Sequence, residues 1–543
     1  MPEQDVPVTI APESPGLAAG QAEPAAASGR WQAVASWPWV ALIPAVVTFA
    51  VTLYEITRPS YWQDEASTLA DTHRTLPQLF ALLGHIDAVH GAYYVLMWFV
   101  IRVAGTGEFA VRFPSAVAMA VAAGGIGLLG KRLVSGRAGL AAGLVFAAIP
   151  QVSWYGQNAR EYALVAAVAT IASYLLVRAV QASPGARRGS ATHWMIGYGV
   201  SLAVLGLLNL FALLLIPAHG LTLAVLARRD AAARTPGASE SQPVATTHPL
   251  ARRWLIAVLA ALVASSPVTY FGWKERGQVS WIKGLDRHDI TGLEQLIGPG
   301  TVVIAVLIII AAGIVVSSVR GRPRLRADWP VRLVALCVPW LILPPAVLLA
   351  VSLAQPVYLF RYIVFCIPAA ALLVGTALAA LGRVAGTLAL ILVVVLVLPA
   401  QAGVRGPQSH DGENLRAVSQ FMAGHAHRGD AVLFASFYER KIAIAYPAGF
   451  RGLRDISLGE SAVAAAEPVA SNAPAAVITR RLATVSQVWL ISRLHLAEPV
   501  PPGAPPGYKP VLLPPLLGKL GFKLAYSHAI SKYRVLLYVR STP

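Results

Sequence analysis

The chain has 543 residues, of which 56% are hydrophobic and 13% charged, with a mean hydropathy of +0.60. Soluble domains carry roughly 25% charged residues, so the composition excludes an ordinary water-soluble protein and indicates a polytopic membrane protein. A net charge of +18, from 44 Lys+Arg against 26 Asp+Glu, is also the mark of nucleic-acid binders. Here, however, the basic residues mostly occupy short loops between apolar segments, where they orient helices, and no nucleic-acid partner is expected. The two cysteines, Cys337 and Cys366, lie inside apolar runs and read as core residues rather than a disulfide framework.

Residues 1–36 are rich in Ala, Pro and Glu, with Arg30 the only basic residue. They lack the positive region and apolar core of a secretory signal and are expected to form a disordered cytoplasmic tail. A membrane helix needs about 17 to 25 apolar residues, and Trp37 to Leu53 is the first span. Tyr93 to Val103 is too short to cross and ends at Arg102, which predicts an interfacial or re-entrant helix. Spans follow at Pro114–Gly130, Ala138–Val152 and Tyr162–Val177, before a basic loop at Arg187 and Arg188. The Gly-rich stretch containing Ala122, Gly124, Gly125 and Gly127 falls inside the first of these and predicts close helix packing, not a phosphate loop. Trp194 to Ala227 is too long for one span and has basic loops at both ends, so it is expected to be a hairpin that turns near Asn209 on the outer side.

Later spans are Trp254–Phe271, Val302–Val319, Leu333–Val351, Tyr362–Ala380 and Val384–Pro399. The total is about eleven crossings with every basic loop on the cytoplasmic side. An odd count places the remainder of the chain outside. From 401 to 543 the pattern becomes α/β, with a helix at Asn414–Ala423, a turn at Gly429-Asp430, strands at Ala431–Phe434, Val488–Ser492 and Lys532–Val539, and a Pro-rich connection at Pro499–Pro515. Residues 401–543 are thus expected to form a small extracytoplasmic α/β domain beside a helical membrane domain at 37–400.

Nearly all polar residues able to do chemistry fall in the outer loops at 57–112, 153–161, 272–300 and 353–361. Asp64 and Glu65 stand directly after the first span, and two adjacent carboxylates at a membrane surface are costly unless used. The same loop holds Asp71, His73, Asp87, His90 and Tyr93-Tyr94; the second holds Asn158, Arg160, Glu161 and Tyr162. The loop after Phe271 carries Trp273, Lys274, Glu275, Trp281 and Asp286, and Arg361-Tyr362 opens a later span.

Trp62-x-Asp64-Glu65-Ala66, Ala159-Arg160-Glu161-Tyr162-Ala163-Leu164, and Arg361-Tyr362 running into Cys366-Ile367-Pro368-Ala369 together resemble the GT-C superfamily of integral-membrane glycosyltransferases. The branch is that of the protein O-mannosyltransferases and the lipid A aminoarabinose transferase. Many relatives carry a Lys-Pro-Pro-Leu-like segment where this chain has Asp87-Ala88-Val89-His90-Gly91-Ala92-Tyr93-Tyr94, a departure in the loop that would meet the lipid phosphate. The resemblance implies transfer of a sugar from a polyprenyl-phosphate carrier to a glycan, glycolipid or protein acceptor at the outer face of a bacterial plasma membrane. Mannose is the first expectation and arabinofuranose or another pentose the second.

The chemistry of the residues agrees with that assignment. An acceptor hydroxyl is a poor nucleophile and needs a base within hydrogen-bond reach; Asp64 is the candidate, with Glu65 orienting the acceptor or supporting the aspartate. One base and a phosphate leaving group fit inverting single displacement. Arg361 and Tyr362, with Arg160 and His90, are candidates for the donor phosphate and lipid, and Asp87, Tyr93, Asn158, Tyr162 and Glu275 for substrate contacts. No cofactor or metal is required; His85, Asp87 and His90 have only loose metal-like spacing. Each assignment has a plainer counterpart. Asp64-Glu65 also suits the first turn of an interfacial helix, Arg361 a headgroup anchor, Arg160-Glu161 a local ion pair, and Trp273 and Trp281 an aromatic belt. A transporter for lipid-linked sugars would place its polar residues at mid-membrane on broken helices, and a non-catalytic scaffold binding cell-wall glycan through the outer domain is the third class.

Overall fold

The computed structural model describes residues 37–182, 190–232, 247–282, 284–285, 299–320, 329–494 and 513–541. The expected tail at 1–36, Arg187, Arg188, Asp286 and most of the Pro-rich connection lie outside the described residues. The helical part runs α1 (Trp37–Leu53), α2 (Gln63–Thr72), α3 (Leu76–Leu83), α4 (Gly91–Ala104), α5 (Glu108–Leu133), α6 (Gly136–Ala148), α7 (Pro150–Gly156) and α8 (Tyr162–Gln181). It continues through α9 (Ser190–Leu208), α10 (Leu215–Ala232), α11 (Thr247–Lys274), α12 (Gly300–Arg320), α13 (Trp329–Ser352), α14 (Ile367–Leu381) and α15 (Arg383–Gly403).

Among the described residues, nine helical segments are long and apolar enough to cross a membrane. A tenth crossing is available from α6 and α7 taken together, a pair bent by 66°. The bend has a local cause: Pro150 opens α7 and holds Ile149 extended at φ −66°, ψ 123°, as the residue before a proline prefers. With α1, whose 17 residues reach the short end of the spanning range, the count meets the expected eleven. The long apolar run breaks at Asn209, whose backbone is extended and whose side chain accepts from the Phe211 N–H at 3.0 Å. Helix α4, with 14 residues, is about 21 Å long and falls short of the ~30 Å hydrocarbon core. Its terminal Arg102 donates to the carbonyls of Thr72 and Arg74, tying α4 to the end of α2.

Small residues let the helices approach until backbones touch. A Cβ on Gly127 would lie 2.1 Å from the Val40 carbonyl oxygen, and one on Gly375 would lie 2.2 Å from the Ala142 nitrogen. The second contact joins α14 to α6. Helix α14 and the 3-10 turn before it (Phe360–Cys366) are the most enclosed span, with 89% of the apolar window buried, and this central position sets the depth of Arg361 at its head.

The C-terminal part contains α16 (Leu415–His425), β1 (Ala431–Phe434), α17 (Phe437–Ala445), β2 (Arg454–Asp455), α18 (Ala475–Leu482), β3 (Gln487–Arg493), α19 (Leu513–Lys519), β4 (Phe522–Ile530) and β5 (Tyr533–Arg540). The sheet order is β2-β1-β3-β5-β4. Strand β1 is parallel to β2 and β3, while β5 is antiparallel to β3, with Leu490 opposite Leu536, and to β4. The three strands read from sequence are present. Strand β4 was not expected: only Phe522 at its start is buried and seven consecutive residues are exposed, so no apolar alternation marks it. Residues Val40–Pro543 form one compact unit, so the sheet and the helical part are not separate bodies. Gln63 at the start of α2 donates its N–H to Glu413 at 2.8 Å and its amide to the Tyr438 carbonyl at 3.0 Å and the Tyr533 hydroxyl at 2.9 Å.

Candidate active site

Asp64 and Glu65 occupy the first turn of α2, where carboxylates face the positive end of the helix dipole. The plain helix-terminus reading therefore holds for both, yet their surroundings differ. Glu65 is fully buried and clamped by Arg112, whose Nε and Nη2 donate at 2.8 and 2.7 Å; the Ala159 N–H adds a third bond at 2.8 Å. Arg112 also donates to the carbonyls of Ile56, Pro59 and Ser60. This carboxylate ties α2 to α5 and to the 158–161 loop.

Asp64 has a side chain 32% exposed, and Arg361 donates to it from Nη1 to Oδ2 at 2.8 Å. Arg361 stands 5.4 Å from the Trp281 ring centroid and 5.9 Å from that of Tyr362. Tyr362 packs on Phe211 at 4.7 Å. Trp281 thus does more than line a membrane belt, because its ring covers the guanidinium that reaches Asp64.

The second loop supplies the next layer. Arg160 lies 3.4 Å from Glu161 and 3.1 Å from the His90 ring, and His90 approaches Glu161 at 3.4 Å. Burial alone would raise the Glu161 carboxyl, but Arg160 and His90 outweigh it and bring it down to about 2. The local ion pair expected for Arg160-Glu161 is present, and His90 joins it. Beside that ion pair, three buried polar atoms make no hydrogen bond among the described residues: both amide atoms of Asn158 and the Tyr93 hydroxyl. Each such group costs about 1 to 3 kcal/mol when unmet, so together they describe a place that a polar ligand or water completes. Tyr162 is buried against Tyr155 at 5.5 Å and supports this layer as packing.

Asp87 and Glu275 form a separate edge. Asp87 sits in the left-handed region at φ 61°, and Glu275 accepts from Gln278 at 3.1 Å. Burial first, and then the Asp87 charge, push the Glu275 carboxyl up. Among the described residues, no group of three or more His, Cys, Asp or Glu side chains converges as a metal site.

The sheet part contributes residues that sequence reading did not identify. A capping box starts α17: the Ser436 N–H donates to Glu439 at 2.8 Å, and its hydroxyl oxygen caps the first turn. That helix directs Lys441 onto α2, where its ammonium donates to the Ser67 hydroxyl at 2.7 Å. Asp71, two turns after Asp64, is fully buried beside the Tyr94 hydroxyl; burial and the nearby Asp87 hold it well above the usual carboxylate range. Burial also lowers Lys441, against the pull of Asp71 and Asp64. The Ser-x-x-Glu pattern at Ser436 and Glu439 marks a helix start, but nothing in sequence pairs Lys441 with a residue almost four hundred positions earlier, a separation of 374.

Residues 91–238 match the family described as dolichyl-phosphate-mannose-protein mannosyltransferase. That segment holds Tyr93, Asn158, Arg160 and Tyr162 but not Asp64. No curated protein matches the chain. Among solved structures, apo ArnT from Cupriavidus metallidurans is 15% identical with a TM-score of 0.56, covering 94% of this chain and 98% of that one. The same protein bound to undecaprenyl phosphate gives 15% identity and a TM-score of 0.56 over 92% and 97%. The apo oligosaccharyltransferase of Archaeoglobus fulgidus is 13% identical, with a TM-score of 0.44 over 84% of this chain and 69% of that one. The chain shares the fold of ArnT over nearly its whole length.

Proposed function

We propose that this chain, which has the GT-C fold, is an inverting glycosyltransferase that moves a sugar from a polyprenyl-phosphate carrier to an acceptor hydroxyl at the outer membrane face. The observation that carries the reading is the pairing at the mouth of α2: a reachable carboxylate, Asp64, bonded at 2.8 Å to a guanidinium, Arg361, at the head of the most enclosed span. A base beside a cation is what this displacement needs. As the acceptor oxygen bonds to the anomeric carbon, Asp64 takes its proton. The carbon–oxygen bond to phosphate breaks, and its electron pair leaves with the phosphate, whose charge Arg361 meets by charge-assisted bonds.

Glu65 is a positioning residue in this scheme, holding α2 through Arg112. The unpartnered hydroxyl of Tyr93 and amide of Asn158 supply donors and acceptors for sugar hydroxyls. Mannose is the favoured sugar, supported by the family matched at 91–238, and the undecaprenyl phosphate named with ArnT supports a polyprenyl-phosphate carrier. The polar groups gather at helix ends rather than at mid-membrane breaks, which favours transfer over transport.

Full-length protein in proteoliposomes, supplied in turn with undecaprenyl-phosphate-linked mannose and pentose and a panel of hydroxyl acceptors, tests the reading. Transfer of mannose with inversion at the anomeric carbon is expected. Movement of intact lipid-linked sugar across the bilayer with no glycoside formed would contradict it.

A further inference from the structure

One flank of Asp64 is not used by the mechanism above. Asp64, Ser67 and Asp71 recur every three or four residues along α2 and so share one face. On that face Lys441 reaches Ser67 at 2.7 Å, its only hydrogen bond among the described contacts of a group with three donors. Asp71 is fully buried, with the Tyr94 hydroxyl as its hydrogen-bonding neighbour and Lys441 and Arg74 as nearby charges, and Arg74, 4% exposed, leaves Nε and Nη1 without a hydrogen bond while Nη2 donates to the Glu467 carbonyl. Donors with unused hydrogens thus stand beside a carboxyl whose acceptor capacity one hydroxyl does not fill, with the carboxylate of Asp87 near by.

We propose that this flank, closed by Lys441 from the C-terminal part, is the acceptor subsite, and that it takes a neutral polyhydroxylated group, the terminal sugar of a glycan. The inference rests on the transferase reading and deepens it. A carrier lipid lies in the bilayer, so its phosphate belongs with Arg361 at the head of a membrane span. The acceptor must then reach Asp64 from the remaining side, where the groups come from α2 and α17. A hydroxyl both donates and accepts, and a sugar with neighbouring hydroxyls satisfies Arg74 and Lys441 with its oxygens and Asp71 with its protons. An anionic headgroup would satisfy the cations but face Asp71 and Asp87. A serine or threonine side chain offers one hydroxyl and leaves most of these donors and acceptors unused.

Binding to full-length protein in lipid nanodiscs separates these cases without requiring turnover. The probes are a neutral octyl disaccharide, its phosphorylated analogue, a threonine peptide, and undecaprenyl phosphate. Wild-type protein is expected to bind the neutral disaccharide in preference to the other two acceptor probes. Asp71→Asn and Lys441→Met should each weaken that binding about tenfold or more, the loss of a hydrogen bond to a charged group, and Lys441→Arg should restore part of it. Affinity for undecaprenyl phosphate should stay unchanged in all three variants, a split that general loss of structure would not produce. Should Lys441→Met fail to fold, Ser67→Ala and the near-isosteric Asp71→Asn carry the same test. Preference for the phosphorylated probe or the peptide, or disaccharide binding indifferent to these substitutions, overturns the acceptor assignment. Wild-type protein that does not bind undecaprenyl phosphate overturns the transferase reading itself.

Discussion

Consecutive residues on a helix point about 100° apart, which is how Asp64 and Glu65 come to have opposite surroundings at the same helix terminus. Glu65 turns into the protein and meets Arg112, with both side chains fully buried, while Asp64 turns toward Arg361 and stays partly exposed. Removing one partner of a buried pair strands the other charge, so Glu65→Ala should destabilise the protein by about 3 to 5 kcal/mol, read as a lower unfolding midpoint in detergent titration. Glu161 gives a pH signature. Its carboxyl falls from an ordinary 4.5 to about 2 in the folded protein, so the unfolded chain binds the proton first as pH drops. The stabilisation from Arg160 and His90 is complete above pH 4.5 and is lost as pH falls toward 2. Unfolding midpoints of wild type and Glu161→Gln should therefore converge across that acidic window and separate above it. Asp64, Arg160 and Arg361 could be nominated from sequence because they sit in recognisable local patterns. Asp71 could only be noted as a polar loop residue, and Arg74 and Lys441 not at all, because their proximity arises only when α17 folds back onto α2.

At the level of elements, sequence length and apolarity predicted the helices well because the bilayer leaves a backbone few alternatives to helix. The break at Asn209 and the short α4 follow from length and from the placement of basic residues. The bend at Ile149 did not, since Pro150 acts on the geometry of the preceding residue while leaving the apolar run uninterrupted. Strand β4 escaped notice for the opposite reason: it forms by pairing with β5 and its exposed faces carry no periodic signal. The glycine stripe in α5 was read as close packing, and Gly124 and Gly127 indeed abut the backbone of α1. A comparable contact outside that stripe, Gly375 against Ala142, holds the helix that follows Arg361. Gly375→Leu should push α14 from α6 and cost about 1 to 3 kcal/mol or more through overpacking, visible as reduced thermal stability together with weaker binding of undecaprenyl phosphate. Unchanged stability would mean that the helices do not meet as closely as described.

For the whole molecule, the fold brings together parts of the chain that differ in character. Spanning helices deliver Arg361 and Arg112, the short α2 delivers Asp64, and the sheet part delivers Lys441, with Glu413 and Tyr533 bonded to Gln63 beneath the site. The sequence division near residue 401 marks a real change of texture, but the two parts share one site. The most direct test of the central claim is Asp64→Asn in proteoliposomes, a substitution that keeps size and hydrogen bonding while removing the base. Transfer from undecaprenyl-phosphate-linked sugar should fall by about 10² to 10⁴-fold, with donor binding and unfolding midpoint retained. Transfer at the wild-type rate would contradict the assignment of Asp64 as the residue that deprotonates the acceptor.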